Sequence, residues 1–145
     1  MKRLTHTIKK DKYKKIKFKV TKTNHLLIRA TINGVKGKFI LDTGASNSCV
    51  DFENVPFFKL NASDSPTKAA GAGAIGMLTQ LANKNNIQIG KWTFDDFNLV
   101  VFDLSHVNAA LIEHKAKPVK GIIGADILLQ GKAIIDYRDS ILYLK

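Results

Sequence analysis

The chain has 145 residues, with 23 Lys and Arg against 12 Asp and Glu, a formal net charge of +11, 45% hydrophobic residues and a single cysteine. This length suits one domain with its own core, the composition excludes a fibrous or disordered chain, and no apolar run approaches the roughly 20 residues of a membrane span. The lone Cys49 excludes an internal disulfide, and no apolar stretch follows the basic start at Met1 to Thr7, so a cytoplasmic protein without a signal peptide is expected.

The charge is uneven. Residues 1–24 hold ten basic residues and one acidic, or +9, whereas residues 25–145 hold thirteen and eleven, or +2. Residues 1–24 therefore read as a basic N-terminal arm and the start of the first strand, and residues 25–145 as a nearly neutral domain. Met1 to Lys14 is expected to be mobile. Such an arm can hold nucleic acid or another anionic surface, although no aromatic and basic reading motif accompanies it, and solvated lysines on a tail or edge strand explain it as well.

From Lys15 the pattern alternates, with Ile16, Phe18 and Val20 on one face and lysines on the other, as in a half-buried strand. Leu26, Ile28, Ala30 and Ile32 continue with period two up to Asn33-Gly34, a strong hairpin signal. The returning strand, Lys38 to Leu41, delivers Asp42 to a turn, Thr43-Gly44-Ala45-Ser46, where glycine permits unusual backbone angles or a close approach. Ser48 to Phe52 reads as the next strand, with Cys49 and Val50 in the core. Asn54 to Pro66 is loop-like.

Gly71-Ala72-Gly73-Ala74-Ile75-Gly76 matches the glycine pattern of dinucleotide sites, but Ser65-Pro66-Thr67-Lys68 stands where such a site needs a buried strand. A glycine-rich hairpin tip is the better reading. Met77 to Ile89 fits either a helix or two strands around Lys84-Asn85-Asn86. After a turn at Gly90-Lys91 come Trp92, Phe94 and Phe97, and Asn98 to Leu104 is a buried-strand candidate. Ser105 to Lys117 suits a short helix with Ser105 as N-cap. Gly121-Ile122-Ile123-Gly124 reads as a short strand, Asp126 to Gln130 as one helical turn with Asp126 as N-cap, and Ala133 to Leu144 as a last hairpin. Short strands and close-set turns make the chain all-β. His6, His25, His106 and His114 are scattered without ligand spacing, so no metal and no cofactor is expected.

Phe39-Ile40-Leu41-Asp42-Thr43-Gly44-Ala45-Ser46, followed by Gly121-Ile122-Ile123-Gly124 before a short helix, resembles the retropepsin-like aspartic proteases, in particular their single-domain bacterial members. The likeness spans roughly residues 25–144. It implies an all-β acid protease barrel with one short C-terminal helix, and an aspartic endopeptidase acting on peptide or protein substrates. By this resemblance Asp42 is the catalytic carboxylate. Thr43, Gly44, Ala45, Ile122, Ile123 and Gly124 support the active-site loop, and Gly71, Gly73 and Gly76 belong to a flap. Only one Asp-Thr-Gly is present, so the second carboxylate is expected from the Asp42 of a symmetry mate in a homodimer. Lys120 departs from the family, in which an acidic residue often precedes the Gly-apolar-apolar-Gly run. The other reading open at this point is a non-catalytic binding module of the same fold that uses the basic arm to hold a partner.

Overall fold

A computed structural model describes residues 2–69 and 77–145. The glycine-rich segment Gly71, Gly73 and Gly76, expected to form the flap, lies outside the described residues.

The hairpin at Asn33-Gly34 forms as expected. Both residues are left-handed, with φ of 51° and 83°, which matches the twist of the strands they join. These are β1 (Leu26–Ile32) and β2 (Val35–Leu41), paired from Ile32 opposite Val35 to Leu26 opposite Leu41. In β1 the even positions are buried and the odd ones partly or fully exposed, so this strand has one wet face. Phe39, Ile40 and Leu41 of β2 are all buried, because both faces of the sheet are covered there. Phe39 and Leu41 join the main core, whereas Ile40 joins a second cluster with Cys49, Leu104, Leu111 and Ile122. The unbroken apolar run before Asp42 is the sequence trace of that double burial.

β3 (Gly121–Ile123) runs parallel to β2 and antiparallel to β4 (Cys49–Val50), and so lies between two strands joined by the Asp42 turn. β4 in turn pairs parallel with β5 (Trp92–Val101), which pairs with β6 (Met77–Ile89). β6 returns to β1 through Thr31 opposite Gln88 and Ile32 opposite Ile87. That last pairing closes the sheet into a barrel, the all-β architecture expected. β7 (Ala62–Ala69) extends the sheet on β6, and β8 (Lys19–Val20) lies on β1 at the opposite end of the sheet order. A separate three-stranded sheet places β9 (Lys14–Lys17) and β10 (Ile134–Asp136) on either side of β11 (Ile141–Leu144). Among the described residues there are three α-helices: α1 (Lys2–Lys10), α2 (Ser105–Glu113) and α3 (Ala125–Gln130), the short C-terminal one. Among the described residues no helix is long and apolar enough to cross a membrane.

Several local expectations are corrected. Residues 2–10 are helical rather than a mobile arm. Ile8 is buried, the Tyr13 hydroxyl donates to the Lys132 carbonyl at 2.8 Å, and β9 is laddered to β11. Ala62 onward is strand, not loop, and Phe52–Asn54 is a turn of 3-10 helix. Met77 to Ile89 is one strand, neither a helix nor a hairpin. Lys84 takes a left-handed φ of 59° where the ladder shifts register, a bulge and not a reversal. The buried Asn85 fills it, donating to the Ala82 carbonyl at 2.8 Å and accepting from Asn33 at 3.0 Å. Trp92 to Val101 is likewise continuous. Ser105 is the first residue of α2 rather than its cap; its N–H donates to the Asp103 carboxylate at 2.8 Å.

Candidate active site

Asp42 stands just past the end of β2, where its N–H continues the ladder by donating to the Ile123 carbonyl at 2.9 Å. The turn then folds back on itself. Ala45 N–H donates to the Asp42 carbonyl at 3.2 Å, and Gly44 N–H donates to Asp42 Oδ1 at 2.9 Å. Asp42 is half-buried, and its Oδ2 accepts no hydrogen bond among the described residues, so one oxygen is held and the other is open. Gly44 does not use a left-handed conformation. Its value is proximity, since a Cβ there would sit 3.3 Å from Asp42 Oδ1.

The turn is docked on the start of α3. The carbonyls of Ala45 and Ser46 accept from the N–H groups of Ala125 at 2.7 Å and Asp126 at 3.2 Å, which satisfies two first-turn donors of that helix. Gly124 permits this approach, because a Cβ at 124 would lie 2.6 Å from the Ala45 carbonyl oxygen. Gly121 is tighter still, at 2.1 Å from the Cys49 carbonyl oxygen, so the strand threaded between β2 and β4 must begin with glycine.

A polar knot completes the support. Ser48 is fully buried; its N–H lies 3.0 and 2.9 Å from the two Asp126 oxygens, and its hydroxyl donates to Oδ1 at 2.7 Å. The same hydroxyl accepts from Gly124 N–H at 2.9 Å. Asp126 also accepts from Ile127 N–H at 2.8 Å. Asp126 is thus not the helix cap, a position taken by Gly124, but the carboxylate that ties the far end of the Asp42 turn to α3. Sequence reasoning missed this role for Ser48 and Asp126; no spacing signal joins residues 78 positions apart.

The other expected support residues are placed as follows. Ile122 and Ile123 pack on opposite faces of β3, in the second cluster and the main core respectively. Ala45 is half-buried against the second cluster. Thr43 is exposed, and its hydroxyl makes no hydrogen bond among the described residues. It borders an apolar hollow of about 390 Å3 with Leu128, Leu129 and Ile135, in which Leu129 is 78% exposed. Cys49 is buried, and burial pushes its thiol up to about 12, so it is a core residue and not a nucleophile. Lys120, the departure from the family pattern, places its ammonium 4.5 Å from the centre of the Phe57 ring, while its N–H donates to the Lys38 carbonyl. Among the described residues no cluster of His, Cys, Asp and Glu could hold a metal ion.

The barrel, the threaded strand and the docked Asp-Thr-Gly turn together define an acid protease architecture. Residues 28–127 match the family model described as aspartyl protease, and the chain belongs to that family. No curated protein sequence matches it. Among solved structures, the fold is similar to a retropepsin-like aspartic protease from Rickettsia conorii, with 22% identity, 91% of this chain and 89% of that one covered, and a TM-score of 0.63. It is similar to the retroviral protease-like domain of Ddi1 from Leishmania major at 19% identity, 83% and 88% coverage and a TM-score of 0.57. It is also similar to the EIAV protease complexed with the inhibitor HBY-793, at 20% identity, 81% and 98% coverage and a TM-score of 0.54. The fold is therefore retropepsin-like.

Proposed function

We propose that the protein is an aspartic endopeptidase that works as a twofold symmetric homodimer, with Asp42 of each subunit at the axis. The observation that carries this reading is the half-open Asp42 carboxylate, locked by its turn against α3 and β3 in a retropepsin-like barrel. One carboxylate of the pair is charged and the other protonated. The charged one takes a proton from a bound water as that water's oxygen attacks the peptide carbonyl carbon. The protonated one gives its proton to the carbonyl oxygen, leaving a neutral tetrahedral diol. The carboxylate that took the water proton then gives it to the amide nitrogen while the other takes a hydroxyl proton from the diol, so the C–N bond breaks to acid and amine and the pair again holds one proton.

Two observations support the need for a second chain. Each chain has one Asp-Thr-Gly. Beside it stand an unengaged Thr43, an exposed Leu129 and the outer edge of β10, which has no partner strand among the described residues. In the dimer Thr43 would brace the paired turns, and Gly71, Gly73 and Gly76 would belong to the flap over the substrate. The substrate is a peptide or protein, and the single buried thiol suits the reducing cytoplasm.

Asp42→Asn should leave folding and association intact and lower peptide hydrolysis by at least about a hundredfold, because an amide cannot take the proton of water. Activity per chain should also fall as the protein is diluted through its dimer-to-monomer transition, followed by solution mass. Undiminished cleavage by Asp42→Asn would refute the catalytic role, and full activity in a monomeric solution would refute the shared site.

A further inference from the structure

A second concavity, of about 710 Å3, lies away from the catalytic turn. One wall is the continuous chain from Ile16 to Lys22, which includes β8. The facing wall is the segment after α2, His114 to Lys117, and the floor is the outer surface of β1 and β2. The charge is one-sided. Lys17, Lys19 and Lys22 stand on the first wall, Arg29 and Lys38 on the floor, and Lys115 and Lys117 on the second wall; no acidic residue lines the groove. None of these cations makes an ion pair among the described residues. Lys115 and Lys117 sit beyond the C-terminal end of α2, where cations are favourable, but no helix end accounts for the other five.

Between the cations the surface is apolar. Val20 is 43% exposed, and Leu27 and Ala116 are half-buried. Both walls are held in shape by hydrogen bonds. At Lys22 the turn is closed by Thr21 N–H to the His25 carbonyl at 2.9 Å and by the Thr21, Thr23 and His25 side chains. After α2, Ala116 N–H donates to the Leu111 carbonyl at 2.8 Å, and Lys115 takes a left-handed φ of 61°.

We propose that this groove is a docking site for an acidic, partly apolar segment of polypeptide, separate from the Asp42 site and independent of whether the bound chain is cleaved. Charge complementarity calls for an anion, and the apolar patches call for side chains rather than a bare phosphate backbone. Nucleic acid would need several aromatic faces for stacking, and the lining has only Phe18, 6% exposed, and the single imidazole of His114. β8 is the end strand of its sheet, but it is two residues long and the Phe18 N–H before it donates to the Ser140 carbonyl, so the contacts with a bound polypeptide come mainly from side chains.

The test uses the full chain carrying Asp42→Asn, so that no probe is cut, and a labelled peptide of alternating Glu and Leu read by fluorescence anisotropy. A groove variant, K19E/R29E/K117E, is compared with a charge-matched variant elsewhere, K9E/K10E/K14E. All six side chains are exposed. The groove variant should weaken peptide binding by at least about tenfold and the control by less than about twofold. A neutral Gln-Leu peptide should not bind. Equal loss in both variants would overturn the proposal, since it would mean diffuse charge attraction. So would tighter, groove-dependent binding of single-stranded RNA, or of phosphatidylglycerol vesicles, than of the acidic peptide. Either result leaves the hydrolytic role of Asp42 untouched.

Discussion

Asp126→Ala removes the carboxylate that accepts from the Ser48 N–H, the Ser48 hydroxyl and Ile127 N–H. Ser48 is 0% exposed, so its two donors are left without an acceptor in a place water does not reach. Hydrogen bonds to a charged acceptor contribute about 1.5–3 kcal/mol each. Counting only the two from Ser48, the variant should lose about 3–6 kcal/mol, a large part of the 5–15 kcal/mol typical of a domain. Ser48→Ala removes one of those bonds and also orphans Gly124 N–H, for about 2.5–6 kcal/mol. The hydroxyl-to-carboxylate bond is lost in both, so the double variant should cost less than the sum by about the 1.5–3 kcal/mol of that one bond. Urea unfolding at fixed protein concentration measures all four corners of this cycle. Activity should fall further than stability in conditions where the variants remain folded, because a 1 Å shift of the turn carrying Asp42 can cost about a hundredfold in rate. A loss below about 1 kcal/mol for Asp126→Ala, or strict additivity in the double variant, would refute the claim that this pair holds the turn.

Substituting alanine for the site glycines should rank by the space each has. Gly121→Ala, with its Cβ 2.1 Å from a backbone oxygen, should cost more than Gly124→Ala at 2.6 Å, and Gly44→Ala at 3.3 Å should cost least. Overpacking of the first two is expected to exceed about 2 kcal/mol by chemical denaturation, and a reversed order would count against the close-approach argument. Cys49 should resist thiol reagents at neutral pH until the chain unfolds, so its labelling rate should follow denaturant. The folded thiol titrates near 12 against an ordinary 9.0, so the stability it contributes is whole below 9 and declines as pH rises toward 12. Rapid labelling of the native protein would contradict this.

What the amino-acid order determines here is local. The period of two from Leu26 to Ile32, the left-handed pair Asn33-Gly34 and the apolar run into Asp42 each follow from the conformations and burial those residues favour. The order therefore carried the hairpin and the position of the Asp42 turn. It was ambiguous wherever a distant partner decided the outcome. Met77 to Ile89 contains residues that suit a helix or a hairpin, and it became one long strand because β5 and β1 pair along it and Asn85 finds acceptors across the bulge. Lysines dominate Met1 to Lys14 and suggest a mobile arm, yet Ile8 is buried and the Tyr13 hydroxyl reaches the Lys132 carbonyl, whereas Ile16 is buried as its alternation implies. The threading of β3 between β2 and β4 and the tie between Ser48 and Asp126 were decided by tertiary structure alone. Both depend on residues more than 70 positions apart meeting at hydrogen-bond distance. Propensity and periodicity act over a few residues, whereas such meetings are selected by the packing of the whole core.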